Sequence, residues 1–215
     1  PDARVWAVVK ANAYGHGMEI ISQVLEKHLS QKEAPYFCVA RLSEAQRLRA
    51  ALPHSRRILV LSSPWECETL SDLPAGVDFV FSDLEDFERL EKLFQSSDSS
   101  KFYDFGIHLK WNTGMNRLGF SENSIVQVYE KIPDWVKRGI KMRGILSHLS
   151  RGEEDLENRS QSQAEEFLQI VQTLKKLWNH TEAGPFPEYI HLENSGAFLQ
   201  KLGAHYKQLN VVRPG

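Results

Sequence analysis

Short runs of β-branched and aliphatic residues recur along the chain, each followed by a longer, charged stretch. Eight such runs stand out: Val5–Val9, Tyr36–Ala40, Arg57–Leu61, Val77–Phe81, Phe105–Trp111, Met142–Ser147, Tyr189–Leu192 and Leu209–Arg213. Between them lie Gly17–Ser30, Ser43–Ala51, Ser82–Phe94, Glu122–Ile132, Gln161–Asn179 and Gly196–Leu202. Several of these place apolar residues at i, i+3, i+4 and i+7, the mark of a helix with one buried face. In Gln161–Asn179, for example, Phe167, Ile170, Val171, Leu174 and Trp178 share one stripe, whereas Glu165, Glu166, Lys175 and Lys176 face away.

Strands that are apolar nearly throughout and alternate with helices belong to parallel sheets covered on both faces. Eight successive units predict an α/β fold, a (β/α)8 TIM-type barrel, over residues 1–215. A doubly wound open sheet is the alternative, and the lack of a Gly-rich phosphate fingerprint after the first strand weighs against it. Gly152–Ser160 is the one loop-like charged stretch, and no composition shift marks a second domain.

Composition narrows the partners. With 215 residues, 41% hydrophobic and 25% charged, the chain has the make-up of a globular domain. Lys and Arg number 26 against 28 Asp and Glu, without a basic block, so neither nucleic acid nor an anionic membrane is expected as partner. No uncharged run approaches the roughly 18 residues needed to span a bilayer. Pro1–Lys10 lacks the apolar stretch of a signal peptide, so a cytoplasmic location is expected. Cys38 and Cys67 fit reduced, buried thiols better than a disulfide or metal pair.

In a (β/α)8 barrel the reacting groups come from the C-terminal ends of the strands and the loops that follow. The first strand ends in Lys10, ahead of a Gly-rich turn with Asn12, Tyr14 and His16. A lysine at that place is expected to be partly desolvated and so a usable amine for a Schiff base or a proton transfer. The fifth ends in Lys110 with Arg117 seven residues on, the sixth in Ser147 and His148, the seventh in Asn194, Ser195 and Gly196, and the eighth in Arg213, Pro214 and Gly215. Two Lys, two Arg, a His and a Ser–Gly turn without a pair of carboxylates suit an anionic ligand, not glycoside hydrolysis. No Cys/His cluster supports zinc, and no Ser-His-Asp set falls at strand ends. His108 and His191, inside strand runs, read as core histidines, and Asn12, His16 and Gly17 as turn formers.

These residues carry a specific resemblance. Ala7-Val8-Val9-Lys10-Ala11-Asn12-Ala13-Tyr14-Gly15-His16-Gly17 resembles the pyridoxal-phosphate attachment motif of alanine racemases, and Thr113-Gly114-Met115-Asn116-Arg117-Leu118-Gly119 resembles the second hallmark segment of that family. Val39-Ala40-Arg41-Leu42, Ser147-His148, Asn194-Ser195 and Val212-Arg213-Pro214-Gly215 follow in the family's order. The resemblance implies the eight-stranded barrel independently of the strand count. It also implies that Lys10 binds pyridoxal 5'-phosphate covalently and is one of two acid–base groups at the Cα of alanine. Tyr14, Ser195 and the Gly215 amide would hold the phosphate, and Arg213 would donate to the pyridine nitrogen. Arg117 would lie beside the phenolic oxygen, Lys110 matches a lysine often carbamylated in the family, His148 would tune the opposing base, and Asn194 would shape the pocket. Trp111-Asn112 departs from the family's aliphatic-Asp pair, and Glu193 is a smaller departure.

The family takes its second base, a tyrosine, from a C-terminal β domain of the partner subunit in a head-to-tail homodimer. No segment here matches that domain, so the resemblance implies the cofactor-binding barrel of an alanine racemase. Such an enzyme supplies D-alanine for the peptidoglycan of the bacterial cell wall. A single-domain pyridoxal-phosphate-binding protein of cofactor homeostasis and a racemase for another amino acid are the alternatives.

Overall fold

The structure, a computed structural model, describes residues 3–30, 36–53, 55–98, 104–150, 159–179, 183–196 and 206–215. Its centre is one parallel sheet of β1 (Arg4–Val5), β2 (Ala7–Val8), β3 (Tyr36–Val39), β4 (Arg57–Val60), β5 (Val77–Phe81), β6 (Phe105–Lys110), β7 (Lys141–Leu146), β8 (Tyr189–Asn194) and β9 (Val211–Arg213). The strands neighbour one another in the order β1-β9-β8-β7-β6-β5-β4-β3-β2. β1 and β2 are two halves of a single barrel strand, the expected Val5–Val9 run interrupted at Trp6. The amides of Arg4, Trp6 and Val8 donate to the carbonyls of Asn210, Val212 and Pro214, each at 2.9 Å, and the Val9 amide donates to Cys38 O at 2.8 Å. The first strand therefore pairs on both sides, and the sheet closes into a barrel of eight effective strands.

The helices are α1 (Met18–His28), α2 (Leu42–Ala51), α3 (Leu84–Gln95), α4 (Ile125–Lys137) and α5 (Arg159–Trp178). Between β4 and β5 the connection holds only the 3-10 turn Leu70–Asp72. Carboxylates start α3: Asp83 accepts from the Glu85 amide at 3.0 Å, and Asp86 accepts from the Ser82 amide at 2.7 Å. Of the expected Gly196–Leu202 helix, only Gly196 lies within the described residues, and of the expected loop Gly152–Ser160 only Arg159 and Ser160, which already belong to α5.

Alternation along the strands sorts side chains into two layers. Ile58, Phe79, Ile107, Ile145 and Ile190 face outward and pack with Leu48, Leu90, Val128, Phe167 and Leu174 of the helices. Trp6, Tyr36, Cys38, Leu59, Val80, Leu146 and Val211 share the barrel interior. There the structure corrects the expectation of nearly apolar strands: Asp78, His108, His191 and Arg213 are buried among those side chains. The register of β6 on β7 shifts between Ile107 and His108, a bulge that brings Arg143 as well as Gly144 to the inner side.

Phe167 is fully buried where α5 meets the sheet. Phe167→Ala is expected to cost about 3–5 kcal/mol of unfolding free energy, read as a lower urea midpoint at unchanged m-value.

Candidate active site

A cavity of ≈ 930 Å³ opens at the C-terminal ends of the strands. The nine residues singled out from the sequence, Lys10, Tyr14, Lys110, Arg117, His148, Asn194, Ser195, Arg213 and Gly215, all line it, beside apolar positions such as Val8, Leu61 and Leu146. Among the described residues its lining has four Lys and Arg side chains and no Asp or Glu.

Lys10 and Tyr14 are placed by an uncommon turn. Ala11, Asn12, Ala13 and Tyr14 all have φ between 52° and 55°, one left-handed helical turn directly after β2. Each L-residue in that region costs about 1–2 kcal/mol, so the turn needs external support. Asn12 Oδ1 accepts from the Met18 amide at 3.0 Å. Glu44, at the third position of α2, accepts from the Ala11 amide through one oxygen and the Ala40 amide through the other, both at 2.7 Å. The chain leaves the turn through Gly15 and Gly17, with φ of 95° and 93°. Asn12 is thus the turn former that the sequence suggested.

The second hallmark segment is another constrained turn. Asn112 Oδ1 accepts from the amides of Gly114 and Asn116 at 3.2 and 2.9 Å, and its Nδ2 donates to Asn116 Oδ1 at 2.9 Å. The amide oxygen thereby does the accepting that a carboxylate oxygen would do, and the amide nitrogen adds a bond that an aspartate lacks. Asn116 has φ 55°, a conformation that Asn tolerates. At Gly119, φ 134°, a Cβ would lie 2.6 Å from Asn112 N, so the return of this loop requires glycine.

Arg213 is buried at the end of β9. Its guanidinium donates to Ser147 O at 2.9 Å and His191 O at 3.2 Å, and to His191 Nδ1. The Ser147 hydroxyl donates to Trp111 O at 2.7 Å and lies 2.8 Å from Thr113 Oγ1, so Thr113 is the donor of that pair. On the far rim the Gly215 amide donates to Ser195 Oγ at 3.0 Å, and that hydroxyl donates to Gly215 O at 2.9 Å. A Cβ at Gly215 would stand 2.7 Å from Val8 Cβ, so glycine also lets this rim approach β2.

Burial, then the charges of Arg117, Arg213 and Lys10, pull Lys110 down to about 8. Burial, then Arg213, Lys110, Arg117 and Lys10, pull His148 down to about 3, so its imidazole is neutral at pH 7. Burial raises the Tyr14 phenol and pushes the Cys38 thiol up to about 12, with Arg213 opposing the latter. Cys38 is buried as expected, whereas Cys67 is only half-buried.

Sequence reasoning missed Glu44, although a Glu at the third position of a helix following a strand is a capping signal. It also missed the engagement of His191 with Arg213. The side chain of Glu193 lies outside the described residues.

The family model for "Alanine racemase, N-terminal domain" matches residues 1–215. An alanine racemase of Streptococcus pneumoniae is 30% identical over 210 residues, which are 98% of this chain and 50% of the relative. One of Helicobacter pylori is 32% identical over 219 residues, 100% of this chain and 53% of the relative. The chain thus spans about half the length of the curated relatives it matches. Among solved structures, alanine racemase from Streptomyces coelicolor shares the fold at a TM-score of 0.80 and 23% identity, over 100% of this chain and 53% of that one. Alanine racemase from Bartonella henselae with covalently bound pyridoxal phosphate superposes at a TM-score of 0.73 with 26% identity, over 99% and 55%.

Lys110 makes a measurable pH signature. Its folded pKa of about 8 lies below the value of about 10.4 in an unfolded chain, so between those values the unfolded state binds more protons. Stability contributed by this residue therefore rises as pH rises through that window, and the charged form is unfavourable below it. The urea midpoint of the wild type is expected to climb with pH from about 8 to about 10 relative to that of Lys110→Met; parallel profiles would contradict the buried ammonium.

Proposed function

Since the chain belongs to the alanine racemase N-terminal domain family, we propose that it is the cofactor-carrying barrel of a pyridoxal-phosphate-dependent isomerase that interconverts L- and D-alanine. The observation that carries the reading is one cavity lined by Lys10, Lys110, Arg117 and Arg213 with no carboxylate in its described lining. That donor set fits the cofactor. The Lys10 amine is the covalent anchor, Tyr14 with the Ser195–Gly215 rim is the phosphate holder, and the crowding that a Cβ would cause at Gly215 fits a cradle built for close approach. When bound, pyridoxal phosphate supplies the electron sink that acidifies the substrate Cα–H.

The residues of this chain do the rest. Lys10 takes the Cα proton on one face and returns it there in the reverse direction. Arg213 would donate toward the pyridine nitrogen of the bound cofactor, and a guanidinium gives up no proton at neutral pH. Arg117 lies toward the phenolic oxygen, and Asn194 bounds the substrate's space. Neutral His148 is a hydrogen-bonding group that takes up no proton at pH 7. Lys110, at about 8, keeps a fraction of its amine neutral at pH 7. That fraction can add CO2, forming an N–C bond and releasing a proton, to give a carbamate that turns Arg117.

Racemisation also needs a group on the opposite face of Cα. We assign it to a C-terminal β domain outside residues 1–215, contributed across a head-to-tail homodimer. The half-length match to the relatives supports this division. No helix among the described residues is long and apolar enough to cross a membrane. A cytoplasmic bacterial enzyme that provides D-alanine for peptidoglycan is the setting that we infer from the bacterial relatives.

The test is borohydride trapping of pyridoxal phosphate on the whole protein, followed by peptide mapping and a racemisation assay. The label is expected on Lys10, and Lys10→Ala is expected to lose the label and at least about 1,000-fold of the racemisation rate. Labelling elsewhere, or racemisation that survives in Lys10→Ala, would overturn the assignment.

A further inference from the structure

The barrel interior holds a row of polar side chains between the cavity and the opposite end. We infer that His108 is a positioning residue: acting through His191, it fixes how Arg213 is held at the floor of the cavity. The inference rests on the proposed function only for what Arg213 touches when cofactor is present.

The argument follows the donors. A guanidinium only donates, so His191 Nδ1, which Arg213 contacts, accepts. A neutral imidazole then carries its proton on Nε2, and that atom faces His108 Nδ1 at 3.2 Å. His108 Nδ1 in turn accepts, which puts the His108 proton on Nε2; that atom is buried without a hydrogen-bond partner among the described residues, and the Asp78 carboxylate, 3.8 Å away, faces it across a gap too long for a hydrogen bond. Every donor from Arg213 to His108 points the same way, toward the carboxylate. In the reverse order, an N–H of His191 would meet an N–H of Arg213 head on. Burial lowers both histidines, in keeping with neutral rings.

Asp78 is itself fully buried and firmly placed. It accepts from Tyr36 Oη at 2.5 Å and from Arg57 at 2.6 and 3.0 Å, with Arg143 Nε at 3.3 Å. Asp104 joins the same two arginines at 3.1 and 3.7 Å. Two strand glycines clear the row. A Cβ at Gly144 would lie 2.1 Å from His108 Nδ1, and one at Gly106 would lie 2.7 Å from Arg143 Nε. Neither has the positive φ that requires glycine, so room for the polar side chains is what each provides. Tyr189 stacks on the His108 ring at 12° and Trp6 meets it edge-on at 5.6 Å centroid distance, which limits ring rotation.

A histidine at 108 kept only to fill the core would leave the tautomer of His191 independent of it. Long-range proton–nitrogen NMR spectra of the 15N-labelled, cofactor-free protein separate the two cases. Both rings are expected as the Nε2–H form; an Nδ1–H form of His191 in the wild type would overturn the inference without any variant. In His108→Leu, with no acceptor for His191 Nε2, the ratio of Nδ1–H to Nε2–H at His191 is expected to rise about tenfold. His108→Gln, which keeps an acceptor and a donor, is expected to restore the wild-type ratio, and an unchanged ratio in His108→Leu would sink the idea. Should His108→Leu not fold, Gly144→Ala displaces the ring with all charges kept and is expected to give the same rise. Failure of Lys10 trapping would fell the proposed function but leave this tautomer result standing, and the reverse also holds.

Discussion

Much of the cavity follows from one constraint, a permanently charged guanidinium buried against neutral acceptors. Arg213 is 5% exposed, and it donates to the carbonyls of Ser147, His191 and Leu192 and to the His191 ring. Neutral acceptors hold the cation without cancelling its field. That field is felt around it: Arg213 helps to keep His148 and His191 neutral and to lower Lys110, after the larger effect of burial in each case. Three of these acceptors are main-chain carbonyls of β8 and of Ser147 just after β7, so the same bonds that satisfy the charge tie three strand ends together. Ser147 extends the tie to β6 through its hydroxyl, which donates to Trp111 O.

The left-handed turn at Ala11–Tyr14 is a second cost carried at the cavity. Four residues in that conformation amount to several kcal/mol of local strain. The support comes from outside the turn. Glu44 bonds the amides of Ala11 and Ala40 together, which joins the ends of β2 and β3, and Asn12 caps the start of α1. A right-handed turn would start a regular helix at Lys10; the left-handed one sends the chain back so that Lys10 and Tyr14 both reach the cavity. Strain concentrated beside the reacting amine thus serves placement.

The barrel was legible because its evidence is local: each strand run and each amphipathic stripe announces itself within ten or so residues. The cavity-lining residues were legible for a related reason, since the closing residue of each run falls at the same end of a parallel barrel. What lay beyond sequence reading depends on partners distant along the chain. His108 and His191 are 83 positions apart, and nothing in either neighbourhood distinguishes an ordinary core histidine from one that contacts Arg213 or the other ring. The polar interior was hidden in the same way, because Arg57, Asp78 and Arg143 sit in runs whose other residues are apolar, and only strand register brings them together. The break at Trp6 reflects local geometry that periodicity does not resolve.

Charge is also segregated along the barrel axis, and the order matters. Asp78 and Asp104 sit with Arg57 and Arg143 toward the N-terminal ends of the strands, whereas Lys10, Lys110, Arg117 and Arg213 gather at the C-terminal ends. A carboxylate moved into the cavity would pair with the nearest of those cations and compete with any anionic ligand for it. Leaving the interior empty of carboxylates altogether would strand Arg57 and Arg143 as half-buried, unpaired charges. The two neutral imidazoles between these groups reconcile the demands. They carry hydrogen-bond polarity from Arg213 as far as His108 while moving no net charge, so the N-terminal end is neutralised by its own ion pairs and the cavity stays cationic.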